Sequence, residues 1–214
     1  MNQDTSASLS SELIDFYLVQ SPYAHSDKPS SARSVDLQSL GWEKTNLDLL
    51  MRWITKELGD GGLEARLSFT IANKIPNELF TELHAQLDNC DKPIQGGCCT
   101  ISRKIDADSS NKITCKLTET YATCFFRHIR NSIAHGNFSL NKTRDFVLFK
   151  DQASAIGSGG ESATAALMIS IKTLNELRDL ITAGPSSIDE ERLVDSPAYR
   201  VKRQIDATLE PRHE

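Results

Sequence analysis

No run of eighteen apolar residues occurs in this 214-residue sequence, so a membrane-spanning helix is not expected. A secretory leader is lacking as well. The opening MNQDTSASLSSE is polar and acidic, without a basic start or an apolar run. The expected location is cytoplasmic. Paired zinc-type cysteines are missing too. The five cysteines, Cys90, Cys98, Cys99, Cys115 and Cys124, are odd in number and form no two close Cys-x-x-Cys pairs. Cys98 and Cys99 are adjacent, a poor spacing for one tetrahedral ion. They read as reduced, small apolar residues, and no cofactor is expected. An excess of positive charge is also absent. The net charge is −5, which argues against a surface broadly coated for nucleic acid. What is present is ordinary: 39% hydrophobic and 25% charged residues, enough for one domain with a core plus appendages.

The charge distribution says more than its sum. Between Thr120 and Arg144 there is no Asp or Glu, while Arg127, Arg130, Lys142, Arg144, His128 and His135 all fall there. A basic island in an acidic chain points to a focused anion site and not to broad electrostatic wrapping. Chance clustering on a solvated helix is the plain alternative.

Periodicity predicts a mostly α protein, a helical bundle with a small β-hairpin after its motif helix. A first helix spans about residues 10–20, followed by a mobile polar loop to residue 34. Leu47, Leu50, Met51, Ile54 and Leu58 recur at helical steps behind a cap at Thr45 or Asn46, and the glycines from Gly59 end that helix. Leu63, Leu67 and Ile71 suggest a third helix; Pro76, Leu79, Phe80, Leu83 and Leu87 suggest a fourth. Residues 90–111 look loop-like, with room for a short strand near 100–105. The motif helix is expected over residues 113–134, where Ile113, Leu117, Tyr121, Cys124, Phe125 and Ser132 share one arc, and Gly136 closes it. Two apolar runs, Phe146 to Phe149 and Ala165 to Ile171, read as the hairpin, joined through Gly157–Gly160. Thr173 and Glu176 have the spacing of a capping box for a last helix. The organisation expected is an N-terminal helix and loop over 1–34, a helical domain over 35–184 with its hairpin at about 145–171, and a charged extension over 185–214.

The chemistry-bearing segment is FRHIRNSIAHGNF, residues 126–138. Arg130 and His135 are separated by four residues, and Asn131 follows the arginine. Composition alone gives about 0.3 such pairs by chance, so spacing decides nothing. The setting is more selective: the end of a long helix, inside the acid-free stretch, directly before Gly136. Five residues correspond to roughly 140° on an ideal helix, so convergence on one anion requires the last turn to loosen. The residue types suit phosphodiester cleavage. A histidine moves protons near neutral pH. An arginine neutralises charge developing on phosphate. Asn131 can bond the phosphate or fix the histidine tautomer. RNA brings its own nucleophile, the 2′-hydroxyl, and two copies across a two-fold axis would supply both an acid and a base. Arg127, Lys142 and Arg144 are further candidates for RNA phosphate. The plain readings are a polar helix terminus for Arg130 and His135, a solvated arginine for Arg127, and a buried, hydrogen-bonded imidazole for His128. His25 and His84 read as surface residues.

The segment IRNSIAHGNF resembles the signature of the HEPN superfamily: an arginine, a polar residue, three more residues and a histidine at the end of a long helix. The hairpin and Leu-rich helix that follow are similar to a plasmid-associated subgroup. The resemblance implies a metal-independent endoribonuclease, of toxin–antitoxin or antiviral type, with Arg130 and His135 catalytic and Asn131 supporting. The implied partners are RNA, a second copy of the chain in a homodimer, and an inhibitory antitoxin protein. Some such toxins carry a tyrosine two residues after the histidine, modified by a nucleotidyltransferase; Asn137 stands there, which disfavours that partner. Two alternatives stay open: a non-catalytic HEPN module binding nucleotide, RNA or a partner protein, and a dimeric scaffold.

Overall fold

The computed structural model describes residues 9–20, 22, 37, 39–43, 46–59, 67–71, 74–91, 94–107, 113–153, 162–189 and 193. The polar loop expected over 21–34 (Pro22 apart), His25, Leu63, the glycine turn and nearly all of the tail beyond 189 lie outside these residues. In chain order the elements are α1 (Ser11–Ile14) with a π-helical turn (Asp15–Gln20), α2 (Leu47–Gly59), β1 (Leu67–Thr70), α3 (Asn77–Gln86), β2 (Ile94–Thr100), β3 (Arg103–Ala107), β4 (Ile113–Leu117), α4 (Tyr121–Ala134), β5 (Phe138–Leu140), β6 (Phe146–Ala153), β7 (Ser162–Ser170) and α5 (Ile171–Ala183).

This architecture overturns the mostly α expectation. A five-stranded sheet of order β1-β2-β7-β6-β5 forms the middle of the molecule, and β3 and β4 make a separate two-stranded ribbon. The β1–β2 pair is parallel, and the other pairs of the large sheet are antiparallel. The β6–β7 pair is therefore no small hairpin appended to a bundle; it lies between β2 and β5 within the sheet.

The β6–β7 middle of the sheet is buried on both faces, which explains why FVLF and ALMI are continuous apolar runs without alternation. Val147, Phe149, Leu167 and Ile169 join the large core with α1, α2, α4 and α5. Phe146, Leu148, Ala166 and Met168 face a second core with Leu83 of α3 and Leu87 just after it. Tyr17 donates its hydroxyl to the Leu174 carbonyl at 2.7 Å, and Trp42 donates its indole N–H to the Ile181 carbonyl at 2.9 Å. Both buried bonds tie N-terminal segments to α5.

Two sequence expectations fail for one physical reason: a spacing of four fits both a helix and a strand. Leu67 and Ile71 suggested a helix, but Leu67 opens strand β1 and Ile71 follows it. Ile113 and Leu117 suggested an early start for the motif helix, but they bound strand β4. The helix begins only at Tyr121, where Thr120 and Thr123 form a reciprocal capping box. Residues 90–111 looked like loop because of Gly96 and Gly97. These glycines belong to β2, where a Cβ on Gly97 would stand 2.8 Å from a Leu167 methyl and 3.1 Å from one of Leu67. Close strand packing requires them, so they mark a crowded strand here and no turn. At α5 the cap is Ser170, whose hydroxyl accepts from the Thr173 amide at 2.9 Å. The helix thus starts before the expected Thr173 box. Among the described residues, no helix is long and apolar enough to cross a membrane.

Candidate functional site

Helix α4 lies against β2 and β6, and its two last turns differ in what they touch. On the inner turn, three side chains at helical spacing converge on one main-chain oxygen, the carbonyl of Thr100 at the end of β2. Cys124 Sγ reaches it at 3.3 Å, Arg127 Nη2 at 3.0 Å and His128 Nε2 at 3.0 Å. Arg127 also grips Glu119 with two bonds, Nε to Oε2 at 2.9 Å and Nη2 to Oε1 at 2.6 Å. Burial pushes the Glu119 carboxyl up, but the Arg127 bond and the Ser102 amide, donating at 2.7 Å, outweigh it and hold it below the ordinary glutamate value. Arg127, a sequence candidate for RNA phosphate, thus has its guanidinium committed within the fold. Glu119 stands one residue before the acid-free stretch, so that window missed it.

His128 is fully buried. Its Nδ1 lies 2.7 Å from Asp151 Oδ2, while its Nε2 faces the Thr100 carbonyl. Both neighbours are acceptors, so both ring nitrogens must carry protons. Burial opposes that charge, but the bond to Asp151, helped by Cys124, prevails and lifts the imidazole to about 9. A histidine held as imidazolium is structural at neutral pH, in line with the buried, hydrogen-bonded reading of its position in the sequence.

Asp151 has no place among the sequence candidates. It is buried in β6, where the pairing with β7 shifts register between Asp151 and Gln152. A signal for it exists: Val147, Phe149 and Asp151 share one strand face at period two. Ending the expected strand at Phe149 conceals it. Asp151 Oδ2 also accepts from Asn131 Nδ2 at 3.1 Å, and Asn131 Oδ1 accepts from Arg130 Nη1 at 3.2 Å. The structure therefore joins Arg130 and Asn131 and links them through Asp151 to His128. The sequence suggests a role for Asn131 at phosphate or at the His135 ring; its amide contacts are instead Arg130 and Asp151.

His135 is exposed and is the C-cap of α4. Gly136, at φ +66°, and Asn137 close the helix with two backbone bonds, Gly136 N–H to the Ile133 carbonyl at 3.1 Å and Asn137 N–H to the Ser132 carbonyl at 2.8 Å. This is the left-handed glycine closure expected from the sequence. The helix opens only at His135, with φ −97° and ψ 1°. Arg130 is half-buried one turn earlier, and among the described residues no carboxylate forms an ion pair with it.

Lys142 and Arg144 sit apart from this cluster in the β5–β6 turn. Lys142 pairs with Asp88 at 3.4 Å on the surface. Arg144 is exposed at φ +61°, in a turn whose amides are bonded by the buried Asn141 side chain. His84 is exposed on α3. Among the described residues, no group of three or more His, Cys, Asp or Glu side chains is placed to hold a metal ion. Cys90, Cys98, Cys99 and Cys124 are not in disulfides.

A family model described as HEPN pEK499 p136 matches residues 51–190. No curated protein and no solved structure matches the chain.

Proposed function

This chain belongs to the HEPN pEK499 p136 family, and we propose that it is a metal-independent endoribonuclease acting at a composite site in a homodimer. One observation carries the reading. A guanidinium without an ion-pair partner among the described residues, held by the neighbouring amide of Asn131, precedes by five residues an exposed imidazole where the helix ends.

The chemistry follows from those groups. The 2′-hydroxyl of the RNA attacks the adjacent phosphorus, and its proton passes to the His135 imidazole of one copy. Negative charge accumulates on the non-bridging oxygens, where Arg130 offsets it. The bond to the 5′-oxygen breaks, and the His135 of the second copy returns a proton to that leaving oxygen. The products are a 2′,3′-cyclic phosphate and a 5′-hydroxyl. One imidazole cannot start as both base and acid, which is the chemical reason for two copies. A toxin or antiviral role, with an antitoxin protein as inhibitor, belongs to this same proposal.

The test is cleavage of mixed RNAs in EDTA by the wild type, Arg130→Ala and His135→Ala. Cleavage with cyclic-phosphate ends is expected from the wild type, with a loss of roughly 10²–10³-fold in each variant. An inert wild type, or variants that cut normally, overturns the reading. Tight RNA binding without turnover would instead identify a non-catalytic module.

A further inference from the structure

We propose that Asp151 is a positioning residue that fixes the Asn131 amide in one orientation and thereby holds Arg130 at the site. The inference rests on the nuclease reading for its functional meaning, but its geometry stands apart from that reading.

An asparagine amide has two ends of opposite polarity, and either end can face either way unless the surroundings choose. Here both neighbours choose alike. Asp151 Oδ2 is an acceptor and demands the NH₂ end, which it receives at 3.1 Å. The Arg130 guanidinium has only donors and demands the carbonyl end, which it reaches at 3.2 Å. A flipped amide would set donor against donor at Arg130 and acceptor against acceptor at Asp151. The orientation is therefore dictated from the buried side.

Asp151 is itself immobilised. It is 4% exposed and bonded to His128, which is 0% exposed. The far side of the His128 ring is fixed on the Thr100 carbonyl. An unbroken path runs from the end of β2 through the imidazolium, the β6 carboxylate and the amide to the guanidinium. Each link has one polarity, so each is specified by the one before. Arg130 is thus aimed by the sheet and not only by its own helix.

Replacing Asp151 by Ala is the informative change because it removes the single oxygen, Oδ2, that accepts from both His128 and Asn131. Asn at this position would not serve, since its amide oxygen in the Oδ2 place keeps both bonds. Without that oxygen the Asn131 amide loses its buried anchor, which releases Arg130.

The decisive readout is the side-chain NMR spectrum of Arg130 in the full-length protein, compared across wild type, Asp151→Ala, Asn131→Ala and Arg130→Ala, the last to assign the signal. A restrained Arg130 guanidinium is expected in the wild type and a freely averaging one in Asp151→Ala and Asn131→Ala. In parallel, binding of a 2′-O-methyl RNA oligonucleotide, which lacks the nucleophile, is expected to weaken about tenfold in each variant, with no further loss when Asp151→Ala is added to Arg130→Ala. An Arg130 that remains restrained in folded Asp151→Ala overturns the proposal, as does additive loss in the double variant. Should Asp151→Ala not fold, Asn131→Ala leaves the His128–Asp151 pair intact, and a restrained Arg130 there overturns it equally. Absence of RNA binding in all proteins, with Arg130 released as expected, would count against the nuclease reading while leaving the positioning role standing.

Discussion

Arg127 and Arg130 lie one turn apart on the same helix and are both half-buried, yet their surroundings are opposite. Arg127 meets a carboxylate with two hydrogen bonds and a carbonyl with a third. Arg130 meets the oxygen of a neutral amide. The first charge is met by a carboxylate inside the fold; the second has no ion-pair partner among the described residues. Position on a helix and residue type are the same in both cases. What differs is the group that each side chain reaches, and that decides which arginine has a carboxylate partner among the described residues.

The largest expected effect that sharpens this contrast concerns the inner turn. His128 is raised from its ordinary 6.5 to about 9 in the fold, so folding takes up a proton there. Its contribution is complete below pH 6.5 and disappears as pH rises through about 9, a loss of a few kcal/mol. Asp151, Cys124, Arg127 and the Thr100 carbonyl are polar and charged groups around it. Urea unfolding from pH 6 to 10, with the His128 ring followed by NMR, checks this. A ring titrating near 6.5 would mean that the buried ion pair does not form.

Next comes Arg127→Ala. It leaves the largely buried Glu119 without its partner and should cost about 2 kcal/mol of stability. RNA cleavage should fall far less than with Arg130→Ala, whose effect on stability should be small. If Arg127→Ala abolished cleavage while leaving the melting curve alone, the contrast between the two arginines would be broken.

The smallest effect belongs to the outer turn. Gly136 has φ +66°, and no heavy atom lies within 4 Å of an added Cβ. Gly136→Ala therefore meets no steric clash with its surroundings and bears only the cost of left-handed backbone, about 1 kcal/mol. The measurement is urea stability, and a change of several kcal/mol would show that the glycine serves a purpose beyond closing the helix.

How much of this is legible in the sequence follows from the same physics. The Arg130–His135 segment, its helix end and the glycine closure are readable because they are local: polarity, spacing and a left-handed residue within a few positions. The β6–β7 pair is readable as strands from its apolar runs, but not as the middle of a sheet. The rest is long-range. β2 hides behind two glycines: a Cβ on Gly97 would press on Leu167 and Leu67 across the sheet, and one on Gly96 would press on Leu83 of α3. The spacings at 67–71 and 113–117 fit two periods equally, and only pairing with β2 and β3 decides them. At the site, Asn131 is singled out by its place beside Arg130, while its hydrogen-bond partner Asp151 lies twenty residues on, in a strand. Arg127 passes for an anion ligand because Glu119 sits just outside the window that defines the basic stretch.

The hub on which the inner turn rests is a peptide oxygen, and that has a genetic consequence. The atom receiving bonds from Cys124, Arg127 and His128 belongs to the backbone of Thr100. No side-chain replacement at position 100 deletes it. A mutational survey would record that site as permissive to any small residue that fits, and would assign its importance to three positions more than twenty residues downstream.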